Sequence, residues 1–257
     1  EADGAFNGCP VRRGRGTHLI YRALSAPHYH AATGLQMQVS DIGRAVGSDG
    51  VHFRKRERFI VPEEPWEQYG CEDPRVTKLG RTYYIFYTAL SPFPFTPGGI
   101  RVGVALSRDL ERIDEKHLVT PFNAKAMTLF PSRIGGKLCV LLTAHTDAPP
   151  AKVAVAWLDR PDQLWSESYW ASWHAALDRW VVPLQRRPQD QAEIGAPPIR
   201  TRHGWLLVYS YIRDYFTAGR VFGVEAALLD LANPQRVLAR TNAPLMTPEE
   251  SYELRGR

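Results

Sequence analysis

The strongest constraint on how this chain folds is a unit that recurs four times along it, at a spacing of roughly 60 residues. Each unit opens with a hairpin centred on a turn, at residues 6–23, 76–87, 130–144 and 198–211. The turns carry glycine, as in Leu79-Gly80-Arg81, Gly135-Gly136 and His203-Gly204. A further apolar strand follows each hairpin, at residues 35–39, 100–106, 151–158 and 221–229. Sustained helical periodicity is nearly absent. A regular multi-strand repeat of this kind predicts an all-β fold built by radial repetition, the β-propeller, which leaves few open sheet edges. An ordinary β-sandwich with similar hairpins is the alternative.

At 257 residues the chain fits one domain with a sizeable core. No apolar run is long enough to cross a bilayer, so no membrane association is expected. Three scattered cysteines give neither a disulfide framework nor metal-ligand spacing, so neither a metal nor a cofactor is expected, and a cytoplasmic setting is the default. The net charge of +5 is spread along the chain rather than clustered among aromatics, which argues against nucleic acid. Glu1 stands where an initiator Met would, and residues 247–253 lead toward an element that does not follow. Residues 1–257 therefore read as one propeller domain, truncated, with its last blade missing.

The stretch richest in chemistry is Cys71-Glu72-Asp73-Pro74-Arg75, which sets two carboxylates and a guanidinium at the mouth of the second hairpin. Strict alternation along a strand would send Glu72 and Asp73 to opposite faces. A solvated acidic turn is the plainer reading.

Taken in order, Phe6-Asn7, Tyr21-Arg22, Asp41-Ile42-Gly43, Glu72-Asp73-Pro74-Arg75, Leu129-Phe130-Pro131, Gly136-Lys137, Ile194-Gly195-Ala196-Pro197-Pro198 and the run Gly204 to Tyr209 resemble glycoside hydrolase family 130, the mannoside phosphorylases and β-mannosidases. The resemblance implies a five-bladed β-propeller with its active site in the central depression, of which about four blades are visible here. It implies a β-mannoside oligosaccharide as substrate, with inorganic phosphate as a possible second one. Asp73 takes the proton-donor position, whose proton travels through a sugar hydroxyl in the family's phosphorylases. Asn7 and Arg22 match positions that contact the terminal mannosyl residue, and Lys125 is carried over although Ala126 replaces an acid often found after it. Glu72, Arg75 and Tyr209 join the binding set. Trp66 and Tyr69, in the loop before the acidic motif, are stacking candidates, whereas Trp205 and most of the seven tryptophans should pack between blades.

Three departures bear on the reaction. Where the family's phosphorylases place basic side chains around phosphate, this chain has Thr143, Glu193 and Ser210. A carboxylate would repel phosphate in a poorly screened pocket and could instead deprotonate water. The expectation is therefore an inverting, exo-acting β-mannosidase with Asp73 as acid and Glu193 as base, facing each other across one pocket. The alternatives are a β-mannoside phosphorylase with a rearranged phosphate site, or a carbohydrate-binding propeller without catalysis. Linkage, aglycone and oligomeric state are not legible.

Overall fold

The computed structural model describes residues 2–254, so Glu1 lies outside it. The chain is a four-bladed β-propeller arrangement of antiparallel sheets. The first blade is β1 (Ala2–Arg13), β2 (Gly16–Ser25) and, after a side hairpin of β3 (His28–His30) and β4 (Leu35–Met37), β5 (Ser40–Gly47) and β6 (Arg54–Ile60). The second is β7 (Cys71–Leu79), β8 (Thr82–Leu90), β9 (Ile100–Ser107) and β10 (Glu115–Leu118). The third has three strands, β11 (Ala124–Leu129), β12 (Leu138–Ala144) and β13 (Lys152–Leu158). The fourth is β14 (Gln191–Ile194), the short β15 (Ile199–Arg200), β16 (Trp205–Arg213), β17 (Val221–Leu229) and β18 (Val237–Arg240). One expected strand is displaced: residues 35–37 belong to the side hairpin, and the blade continues with β5, because β2 pairs with Ser40–Gly47 in register.

Strands such as β8, Thr-Tyr-Tyr-Ile-Phe-Tyr-Thr-Ala-Leu, are apolar throughout because blades pack on both of their faces. Three cores result. Ile20, Ile42, Ile85 and Tyr87 pack between blades one and two. Phe86, Val104, Met127, Val140 and Trp170 fill the space between blades two and three, and Phe130, Leu141, Trp205 and Tyr209 that between three and four.

A cross-strand pair recurs in three blades, setting a tyrosine opposite a glycine: Tyr21 with Gly43, Tyr87 with Gly103, and Tyr211 with Gly223. In the first two pairs a Cβ on the glycine would fall 2.6 Å and 2.5 Å from the tyrosine ring, so the ring lies over bare backbone.

Blade three has no fourth strand among the described residues, and helical segments cover its edge instead. Helix α1 (Glu167–Ala175) sends Tyr169 Oη to the carbonyl of Trp157 at 2.8 Å and Trp173 Nε1 to that of Val155 at 3.0 Å. The amide of Val182 donates to the carbonyl of Val153 at 2.8 Å. Three successive outward carbonyls of β13 are thereby satisfied without a strand, which protects an otherwise open edge. The last described segment, α2 (Ser251–Leu254), is a single helical turn.

Candidate active site

The first strands of the blades, β1, β7, β11 and β14, meet around the middle of the molecule. Three of them break their register at similar points: between Phe6 and Cys9, between Glu72 and Arg75, and between Lys125 and Thr128. Each irregularity holds a residue with left-handed backbone, Asn7 (φ 48°), Asp73 (φ 52°) and Ala126 (φ 52°). Bulges of this kind re-aim side chains, and Asn and Asp tolerate the left-handed region better than most residues. The bulge at Asp73 explains why simple alternation misleads: Glu72 and Asp73 both reach the same guanidinium.

That guanidinium is Arg22, which pairs with Glu72 Oε1 at 2.5 Å and lies 3.6 Å from Asp73 Oδ1. Asn7 Nδ2 donates to Asp73 Oδ1 at 2.6 Å. Ser40, which no motif in the sequence singles out, accepts from Arg22 Nε at 2.9 Å and donates to Glu72 Oε1 at 3.3 Å. Burial raises the Glu72 carboxyl above the ordinary range, against the pull of Arg22 and with help from the charge of Asp73.

Arg75 differs from the expected sugar contact or surface ion pair. Its guanidinium donates to the carbonyls of Gly195 and Ile194, both at 2.8 Å, and of Asp73 at 3.1 Å. It ties the second blade to the fourth and fixes the backbone beside Glu193. Burial lowers its pKa, and Asp73 and Glu193 oppose that shift.

On the other side of the depression, Lys125 pairs with Asp147 at 2.7 Å. Asp147 is itself held by Asn123, whose amide donates at 2.9 Å. The lysine thus finds an anionic partner on the loop after β12, although Ala126 follows it in sequence. Glu193 is half-buried on β14 and opposite Ser210 in register. Burial raises its carboxyl above the ordinary range; Lys125 and Arg75 oppose the shift, while Asp147 and Asp73 add to it. Those influences place Asp73, Arg75, Lys125, Asp147 and Glu193 in one electrostatic neighbourhood. Thr143 is fully buried and accepts from the amide of Ile194 at 3.2 Å, so it holds β14 in place.

Three expected binding residues lie elsewhere. Tyr209 is 1% exposed and donates to the buried Glu225 at 2.9 Å, because its strand packs against blade three and encloses the ring in the core. Trp66 is half-buried against the core of blades one and two. Tyr69 is buried among His30, Phe93 and Phe95 rather than open for stacking. Their loop is fixed by buried Glu67, which accepts from the amides of Glu63 and Glu64 at 3.1 and 3.2 Å, pairs with Lys116 at 2.7 Å and receives the Tyr87 hydroxyl. Trp205 is buried edge-on against Phe130, as expected of a core residue.

A propeller that gathers carboxylates, guanidinium, ammonium and amide groups around the first strands of its blades has the equipment of a glycoside-cleaving enzyme. The family profile described as beta-1,4-mannooligosaccharide phosphorylase matches residues 5–257, and the chain belongs to glycoside hydrolase family 130. It is 30% identical over 258 residues to a 1,2-beta-oligomannan phosphorylase of Thermoanaerobacter sp. (strain X514), covering 100% of this chain and 79% of that protein. A beta-1,2-mannobiose phosphorylase of the same organism is 28% identical over 262 residues, covering 100% of this chain and 80% of the relative. The solved beta-1,2-mannobiose phosphorylase of Listeria innocua, in complex with beta-1,2-mannobiose, shares the fold with a TM-score of 0.72 at 22% identity, over 98% of this chain and 79% of that one.

These relatives overturn the expectation of hydrolysis, since the curated ones carry the names of phosphorylases. The physical reason is that missing basic side chains at positions 143, 193 and 210 do not leave the depression without cations. Lys125 remains on the Glu193 side, where its ammonium opposes the upward shift that burial imposes on that carboxyl.

Proposed function

We propose that this enzyme cleaves β-linked mannooligosaccharides by phosphorolysis, releasing mannose 1-phosphate from the non-reducing end. The observation that carries the reading is the Asn7–Asp73–Arg22–Glu72 network in a chain 30% identical, along its whole length, to an oligomannan phosphorylase. Asp73 supplies the proton to the leaving glycosidic oxygen, and Asn7 and Arg22 hold its carboxyl in place. A phosphate oxygen attacks the anomeric carbon from the opposite face as the glycosidic C–O bond breaks, giving the inverted α-phosphate and a shortened oligosaccharide. The phosphate lies on the Lys125 side, where the ammonium supplies charge and the Ser210 hydroxyl donates a hydrogen bond. Arg75 acts through the backbone it ties.

The test is chromatography of products from β-1,2- and β-1,4-mannobiose with and without inorganic phosphate. Mannose 1-phosphate formed only when phosphate is present is the expected result. Mannose released at the same rate in its absence contradicts the reading.

A further inference from the structure

Inversion separates the nucleophile from the leaving group, so the two assignments above fix where the rest of the substrate goes. With phosphate on the Lys125 and Glu193 side, the departing oligosaccharide lies on the Asp73 side, over the rim of blades one and two. A chain of five rings stands in the segments that follow β2 (His28, His30), precede β7 (Tyr69) and follow β8 (Phe93, Phe95), by the strand ends that carry Arg22 and Glu72. His28 and His30 lie 6.4 Å apart, His30 and Tyr69 5.2 Å, Tyr69 and Phe93 5.8 Å, Tyr69 and Phe95 6.0 Å, and Phe93 and Phe95 5.4 Å.

The cluster adjoins the catalytic network through the backbone. A Cβ on Gly70, the residue after Tyr69, would fall 3.3 Å from the backbone of Ser40, whose hydroxyl bonds both Arg22 and Glu72. Two features suit it to a sugar rather than to packing alone. Phe95 is 46% exposed at the end of a buried aromatic base, offering an apolar face to solvent. His30 Nδ1 is shielded from solvent with no hydrogen-bond partner, a polar group that lacks the acceptor or donor it requires. Pro92, Pro94 and Pro97 restrict the loop that carries Phe93 and Phe95, so little backbone freedom is lost on binding.

We propose that Phe95 and Phe93, backed by Tyr69 and His30, form a subsite for mannosyl units beyond the one next to the cleaved bond, and that the enzyme prefers oligosaccharides of three or more residues to the disaccharide. This rests on the phosphorolytic reading for its direction. The experiment measures consumption of β-mannobiose and β-mannotetraose by wild type, Phe95→Ala and Phe95→Tyr, with thermal melting to verify folding. Phe95→Ala is expected to raise KM for the tetraose about tenfold, the size of one lost aromatic contact, and to leave the disaccharide unchanged. Phe95→Tyr, which keeps the ring, should restore the tetraose value. An equal change on both substrates, or none on the tetraose, overturns the subsite. Because substrate consumption is read rather than product, the result does not depend on the nucleophile; wild type inactive on both lengths overturns the parent reading together with the subsite.

Discussion

The two sides of the central depression are built differently. Toward blades one and two, Asn7, Arg22, Ser40, Glu72 and Asp73 form a closed network with contacts between 2.5 and 3.6 Å. Toward blades three and four, Lys125 pairs with Asp147, while Glu193 stands half-buried, raised in pKa and influenced by several charges. The first side is held throughout by hydrogen bonds and ion pairs between charged groups. The second sets a carboxyl raised by burial within the electrostatic influence of a lysine that is itself paired with Asp147.

Substitutions on the two sides should therefore behave differently, and the largest effect belongs to the first. Asp73→Asn removes the carboxyl proposed as proton donor and should lower kcat on the order of a thousandfold in steady-state assays. A loss below about tenfold would remove Asp73 from its role. Arg22→Lys keeps the charge but loses the fork that reaches Ser40 and both carboxylates; kcat/KM should fall roughly 10- to 100-fold, the scale of one or two charge-assisted hydrogen bonds.

Tyr209→Phe tests the reassignment of that tyrosine to the core. It leaves buried Glu225 short of one donor, so denaturant unfolding should show a loss of about 1–3 kcal/mol while KM is unchanged. A raised KM with unchanged stability would return Tyr209 to the binding set.

Glu193→Gln should have the smallest effect on rate at mildly acidic pH, because the amide matches the carboxyl in size and adds no negative charge beside the phosphate. Its signature is in pH. A carboxyl whose folded pKa is raised binds more protons folded than unfolded, so its contribution to stability is present at low pH and is lost as pH rises from the unfolded pKa through the folded one. The variant should therefore melt higher than wild type near neutrality and equally at acidic pH. Wild-type KM for phosphate should rise across the same window, and that of the variant should not.

The repeat is legible in the sequence because propeller strands are apolar on both faces and separated by glycine turns, and the grouping of Asp73 with Asn7 and Arg22 follows from the family resemblance. Bulges are not legible: nothing in Cys71-Glu72-Asp73-Pro74-Arg75 announces that the strand breaks step there, so alternation gives the wrong relation between Glu72 and Asp73. Ser40 and Asp147 escape a reading by motif because each reaches its partner from another part of the chain. Tyr209 is misplaced by such a reading because position in a motif does not tell which face of a strand is buried. Counting lost basic side chains favours hydrolysis against what the curated relatives support, because the count omits Lys125, a cation that stays on that side.

Phosphorus NMR of wild type and Glu193→Gln, each supplied with β-mannobiose, tests the central claim most directly. Phosphorolysis requires both proteins to form mannose 1-phosphate, only when phosphate is present, with the variant within about threefold of wild type at mildly acidic pH. Free mannose from the wild type in phosphate-free buffer, with a Glu193→Gln loss of about a hundredfold or more, the scale of removing a general base, would contradict it.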